Sequence, residues 1–127
     1  MTMDLVIEVD NRPGVLAQIA AAISDAGVNL AAATCVGMGD RAELHILVPH
    51  AEAARHALGN THQAVITSER EVVVVEVEDR PGALADLARI VSEAGVDIDL
   101  VYVALNNRVV FGSKDLAGLK AALGRGN

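Results

Sequence analysis

Two short segments of this 127-residue chain combine residue types that suit the capture of a small anion: Asn11-Arg12-Pro13-Gly14 and Asp79-Arg80-Pro81-Gly82. Each precedes an apolar stripe at helical spacing. The first N–H groups of a helix have no intrahelical acceptor and carry a partial positive charge, so a carboxylate fits there. Pro13 fixes φ and suits the first turn of a helix. Gly14 has no side chain to obstruct the backbone, so Gly14→Val is expected to block the loop amides and leave the fold largely intact. Asn11 both donates and accepts, and so can read an ammonium, a carboxylate or a backbone group, whereas ionised Asp79 only accepts. The first loop should therefore tolerate an anionic group better, and the second should prefer an ammonium. Arg12 and Arg80 can pair with a ligand carboxylate, stay solvated, or bridge to Asp10 and Glu78. Asn11 and Asp79 can equally serve as helix caps.

Other reactive residue types are sparse. Cys35 is the single cysteine, which excludes an intrachain disulfide and a cysteine-based metal knuckle; in a strand it reads as a small hydrophobe. His45, His50, His56 and His62 have no spacing that puts two on one helix face as metal ligands, so no metal is expected. Tyr102 shares a strand face with Ile98 and Leu100 and reads as core, its hydroxyl at an edge. The chain holds no Gly-x-Ser-x-Gly, no phosphate-binding Walker loop, no His-Glu-x-x-His and no nucleophile beside a base. No catalytic residue and no cofactor are expected, and the chain reads as a non-enzyme.

Bulk properties narrow the partners. The formal net charge of −7 argues against nucleic acid, whose recognition leans on clustered Lys and Arg. The N-terminal residues carry no basic stretch like that of a signal peptide, and no apolar run approaches the roughly 20 residues of a membrane span. A cytoplasmic protein with no membrane partner is the expectation. Hydrophobic residues make up 52% of the chain and aromatics only 2%, so the core must be built from Val, Leu, Ile and Ala.

The elements that would position the two loops come in two copies. At an offset of 68 positions, the spacing from Arg12 to Arg80, Glu8-Val9 falls on Glu76-Val77, Leu16-Ala17 on Leu84-Ala85, and Ala26-Gly27-Val28 on Ala94-Gly95-Val96. No gap is needed between these points. In the first copy, alternation at Leu5, Ile7 and Val9 predicts a strand, and Leu16, Ile19, Ala20 and Ile23 predict a helix from Pro13 that Gly27 stops with a left-handed cap. A strand over Val28–Val36, a turn at Gly37–Asp40, a return strand over Ala42–Val48, a helix over Ala51–Leu58 and a strand over Ala64–Ser68 follow. The second copy predicts a strand over Val72–Glu78, a helix over Pro81–Ala94, a strand over Val96–Leu105, a turn at Asn106-Asn107, a strand over Val109–Gly112, and a helix through Leu116, Leu119 and Leu123 capped by Ser113. Only Gly-Arg-Gly-Asn remains after Leu123, so this copy reads βαββα and lacks its last strand.

Boundaries are expected at residues 1–69 and 70–127. Modules of about 60 residues are marginal alone, so a shared core or sheet edge is expected. Only Glu69 to Glu71 separate the two copies. Either a tight turn lets Ala64–Ser68 complete both sheets as one seven-stranded sheet, which is favoured, or one long strand runs from Ala64 to Glu78.

The strand-to-helix segments Asp10-Asn11-Arg12-Pro13-Gly14-Val15-Leu16 and Glu78-Asp79-Arg80-Pro81-Gly82-Ala83-Leu84 are each followed by Ala-Gly-Val and a hydrophobic strand. This pattern resembles the ACT domain, and the chain resembles a stand-alone tandem ACT protein. The resemblance implies an α+β fold of two ferredoxin-like βαββαβ modules, with antiparallel sheets and helices on one face. It also implies a regulatory module that binds an amino acid where two domains meet. The implied ligand residues are Asn11, Arg12, Gly14, Val15 and Leu16 in the first loop, and Asp79, Gly82, Ala83 and Leu84 in the second.

Three functions compete: an amino-acid sensor, an interaction module that docks on a metabolic enzyme without binding ligand, and a small enzyme for which no catalytic pair is found. The second draws on the missing last strand, because an uncovered sheet edge invites pairing with another chain. Two marginal modules with such an edge also suggest a homodimer.

Overall fold

The computed structural model describes residues 2–59, 61 and 64–124. The chain divides into two compact units, Met3–Arg70 and Glu71 onward. The first contains β1 (Met3–Asp10), α1 (Val15–Asp25), β2 (Ala32–Met38), β3 (Arg41–Val48), α2 (Ala51–Gly59) and β4 (Ala64–Glu71, whose last residue groups with the second unit). Its sheet has the order β2-β3-β1-β4, and β3 runs antiparallel to both of its neighbours, β2 and β1. Alternation places Leu5, Ile7 and Val9 directly opposite Ile46, Leu44 and Ala42. These six residues form one apolar face, onto which α1 packs Val15, Ile19 and Ile23 and α2 packs Ala51, Ala54 and Leu58. Both helices therefore lie on the same side of the sheet.

The second unit contains β5 (Val73–Glu76), α3 (Ala83–Glu93), β6 (Leu100–Ala104), β7 (Arg108–Gly112) and α4 (Leu116–Leu123), with sheet order β5-β7-β6. Val73 and Val75 face Phe111 and Val109 across the ladder, and Val91, Val96 and Leu119 close that core. The place that β4 takes beside β1 in the first sheet has no counterpart beside β5 among the described residues. The βαββα order read from the sequence holds over that range.

The seven-stranded shared sheet does not form: β4 belongs to the first sheet and β5 to a separate second one. A single strand across the junction does not form either, because β4 stops at Glu71, β5 starts at Val73, and β5 ends at Glu76. Several boundaries also move. β2 starts at Ala32 and β6 at Leu100, later than expected, because Val28, Leu30 and Ile98 meet the core from irregular connections. Hydrophobic alternation does not distinguish such a connection from a strand. Ser113 does not cap α4. Asp115 does, accepting from the Gly118 N–H at 3.0 Å, while the Ser113 hydroxyl accepts from the Asp115 N–H at 3.1 Å.

Both first helices start two residues later than the proline suggests. Gly14 and Gly82 are the N-cap residues, at φ +89° and +87°, and neither helix has a side-chain cap. Pro13 and Pro81 precede the helices as part of the turn. The expected left-handed stops are present at Gly27 and Gly95, where Val28 N–H reaches Ile23 O and Val96 N–H reaches Val91 O, each at 3.2 Å. Asn106 and Asn107 both adopt positive φ, in a three-residue connection that follows the Ala104–Arg108 pair.

Candidate functional site

The first turns of α1 and α3 each leave two backbone donors without an acceptor among the described residues. In the first, Val15 N–H bonds back to Arg12 O at 3.3 Å and Gln18 N–H to Gly14 O at 3.0 Å. The N–H groups of Leu16 and Ala17, which lie between them, have no acceptor among the described residues. The second loop repeats this arrangement: Ala83 N–H meets Arg80 O at 3.3 Å, Asp86 N–H meets Gly82 O at 2.9 Å, and Leu84 and Ala85 N–H are left over. The left-handed glycine sets up both arrangements by turning the chain into the helix without a side-chain oxygen over the first amides.

The nine residues implied as ligand contacts occupy different environments. Val15 is buried and its side chain belongs to the core, so only its backbone faces the loop. Leu16 is 52% exposed and Leu84 43%. Gly14 and Gly82 are exposed and Ala83 half-buried. Asn11 does not cap α1. Its Nδ2 donates to Gly39 O at 2.9 Å, and its backbone N–H donates to Asp40 O at 2.9 Å, tying the loop to the β2–β3 turn. Of the partners open to it on sequence grounds, Asn11 takes a backbone group. Asp79 is exposed and does not cap α3. The β6–β7 hairpin instead reaches the residue that follows β5, through Val77 N–H to Asn107 O at 2.8 Å.

The two arginines differ most. Arg12 is about half exposed, and its Nε lies 3.7 Å from Asp10 Oδ2. Asp10 in turn is held by Arg41 Nη1, while Arg41 Nε reaches Glu8 Oε1 at 2.9 Å. Arg80 has all three nitrogens engaged: Nη2 with Asp86 Oδ2 at 2.9 Å, Nε with Glu78 Oε2 at 3.6 Å, and Nη1 with Pro81 O at 3.2 Å. The Arg80 hydrogen bond, opposed by partial burial, holds the Asp86 carboxyl below the usual carboxylate range. A cleft of about 210 Å³ lies beside this second loop, lined by Glu76, Glu78, Arg80, Ala83, Asp86 and Leu87 among others.

Sequence reasoning did not find Arg41, Gln18 or Asp86. Arg41 meets Glu8 and Asp10 only through the β1–β3 register, which pairs Asp10 with Arg41. Gln18 and Asp86 occupy matched positions of the repeat, and that mismatch of charge was legible in the sequence without its partner.

His45 was weighed only as a metal ligand. Its Nδ1 lies 3.0 Å from Asp4 Oδ2 and its Nε2 2.9 Å from Glu43 Oε1. Asp4 is fully buried. Ionised carboxylates only accept, so this arrangement suits the doubly protonated imidazolium. The hydrogen bond to Asp4 outweighs burial and, with Glu43, raises the His45 pKa above 6.5. Protonated His45 therefore contributes stability that is fully present below pH about 6.5 and is lost as pH rises through the raised folded value. Melting temperatures of the wild type should fall across that window, and His45→Gln should flatten the fall. An equally steep profile in the variant would exclude His45 as its source.

His50 and His56 are exposed, and His62 lies outside the described residues. Among the described residues, no group of three His, Cys, Asp or Glu is arranged to hold a metal ion. Cys35 is exposed on β2 rather than packed as a small hydrophobe, because β2 is an edge strand. Tyr102 is half-buried on β6. No helix among the described residues is long and apolar enough to cross a membrane.

The family model for the ACT domain matches residues 3–58 and 72–104. No curated protein matches the chain. Among solved structures, a protein from Bacteroides thetaiotaomicron superposes with a TM-score of 0.84 at 26% identity, over 96% of this chain and 85% of that one. The ligand-free regulatory subunit of aspartate kinase from Thermus thermophilus superposes with a TM-score of 0.70 at 16% identity, over 97% and 89%. A structure of aspartokinase alpha and beta subunits gives 0.69 at 18% identity, over 96% and 89%. At these identities the two kinase structures speak to the fold.

Proposed function

The chain belongs to the ACT-domain family, and on that premise we propose that it is a non-catalytic regulatory protein that binds an amino acid, or a similar small ligand, through its strand-to-helix loops. The first loop is the stronger carboxylate site, and an ACT module of a second copy of the chain completes it in a homodimer. The observation that carries this reading is the pair of unpaired amides at Leu16 and Ala17, with the half-exposed Arg12 guanidinium in the same loop. Two N–H donors at a helix start and a cation suit the carboxylate of an amino acid.

Thermal unfolding in the presence of each of the twenty standard amino acids tests the reading. A true ligand at about 100 times its dissociation constant should add roughly 2.7 kcal/mol of stability. If no amino acid moves the melting temperature, the sensor reading fails.

A second reading has one observation in its favour. The β6 edge strand carries no charge and no proline, and Val101, Val103 and the adjoining Leu105 are 45%, 68% and 61% exposed. Natural edge strands are usually protected by such residues. In this reading the chain docks on a metabolic enzyme as a regulatory subunit and its loops stay empty. A melting temperature unmoved by every amino acid would leave this reading standing.

A further inference from the structure

The two loops share their turn, their N-cap glycine and their pair of free amides, yet they differ in charge at matched positions, Asn11 against Asp79 and Gln18 against Asp86 among them. Gln18 stands on the first turn of α1 where Asp86 stands on the first turn of α3. We propose that Asp86 is a built-in carboxylate occupant of the second loop, that it silences this loop toward anionic ligands, and that the Gln18/Asp86 difference confines carboxylate recognition to the first loop, one ligand per chain. The inference rests on the reading of these loops as amino-acid sites, and it names the residues that set which of the two is active.

Three observations support it. Asp86 Oδ2 accepts from Arg80 Nη2 at 2.9 Å, a charge-assisted bond of the kind that a ligand carboxylate would make. Arg80 Nε lies 3.6 Å from Glu78 Oε2 and Nη1 donates to Pro81 O, so each nitrogen of the guanidinium already has an acceptor beside it. Arg12 has no acid on the first turn of its helix, and its one carboxylate neighbour, Asp10, is itself engaged by Arg41.

The surrounding charge acts in the same direction. Glu76, Glu78 and Asp86 line the cleft beside the second loop with Arg80, and Arg89 Nη2 lies 3.4 Å from the other Asp86 oxygen, so acids still outnumber cations there. An anion entering there meets like charge, and juxtaposed like charges reject a partner. It must also displace a carboxylate tethered six residues away in the same chain, whose effective concentration exceeds that of most free ligands. The Arg80–Asp86 pair is half-exposed and adds little to folding stability. Its consequence is the sign of the charge offered to a ligand.

Acetate, a bare carboxylate, is the probe for the test, read by the backbone ¹⁵N–¹H signals of Leu16, Ala17, Leu84 and Ala85 at fixed pH and ionic strength. In the wild type, acetate should shift Leu16 and Ala17 in a saturable way and leave Leu84 and Ala85 unmoved. Asp86→Gln should make Leu84 and Ala85 respond, and Gln18→Asp should weaken the response of Leu16 and Ala17 by tenfold or more. Asp86→Asn, closer in size, should act like Asp86→Gln if charge is the cause. Neither position is in a core cluster, and unchanged amide dispersion elsewhere checks that each variant is folded.

The proposal falls if Leu84 and Ala85 respond in the wild type as Leu16 and Ala17 do. It also falls if they stay silent in both Asp86 variants. In either case a saturable response at the first loop keeps the amino-acid reading alive. Silence at both loops in every variant overturns the proposal, and no shift with any amino acid overturns the reading beneath it.

Discussion

Phe111→Ala should cost about 3–5 kcal/mol and unfold the second unit under mild conditions. Phe111 is the only phenylalanine in the chain and is fully buried. It sits at the centre of the three-stranded sheet, opposite Val73 on β5 and Val101 on β6. The other buried members of that core are five valines and one leucine. None is large enough to close the gap that a lost ring would leave, and β-branched valines have few rotamers with which to adjust. A domain's whole stability is only about 5–15 kcal/mol, and a unit this small sits at the low end. Urea unfolding followed by circular dichroism measures the effect. The first unit has its own core, so its transition should survive. A loss below about 1 kcal/mol would mean that the ring is not packed as described here.

Gly14→Val should cost about 1–3 kcal/mol and also abolish the response of the first loop to ligand. On sequence grounds this substitution looked benign to the fold. The structure overturns that expectation for a backbone reason. A Cβ at position 14 meets nothing within 4 Å, so there is room for a side chain. The cost lies in φ, which at +89° is a conformation that an L residue resists and a β-branched one resists most. Valine would push the N-cap toward negative φ, re-aiming the Leu16 and Ala17 amides that the left-handed turn sets free. Melting curves with and without the amino-acid panel separate the two effects. Destabilisation with an intact ligand shift would place the site elsewhere. Unchanged stability would show that the turn does not need its positive φ.

The most local features of the fold were the most legible. Glycines at 27 and 95 and asparagines at 106 and 107 announce positive φ because few other residues tolerate it, and those turns are where they were expected. Alternation at Leu5, Ile7 and Val9 identified the buried face of β1 because a strand's side chains have a period of two. Ser113 and the start of β2 were misread where two local solutions are nearly equal in energy. Ser113 and Asp115 are both good caps, and a connection that packs Val28 and Leu30 on the core carries the same hydrophobic pattern as a strand.

The candidate site was legible in its outline and not in its chemistry. The paired Pro-Gly turns marked both helix starts, and the Asn11/Asp79 difference suggested unequal loops. The structure adds further contrasts that the turn residues alone do not show. Asn11 is occupied in clamping Gly39, and beside the Asn11/Asp79 difference stand Gln18 against Asp86 and Asp10 held by Arg41.

By itself, the sequence determined the duplication, the element types, the ACT resemblance and the two amide-rimmed helix starts. Each depends on residues close together in the chain, where dihedral preference and periodicity act directly. Only the tertiary structure decided that there are two sheets rather than one, that His45 lies between Asp4 and Glu43, and that Arg41 meets Asp10. It also decided that Arg80 is taken by Asp86 while Arg12 is not. Most of these contacts depend on strand register or sheet membership, and a register shift of one residue would turn every side chain to the other face. The Arg80–Asp86 contact depends on where the left-handed glycine starts the helix, which sets the side of the turn that the sixth residue faces.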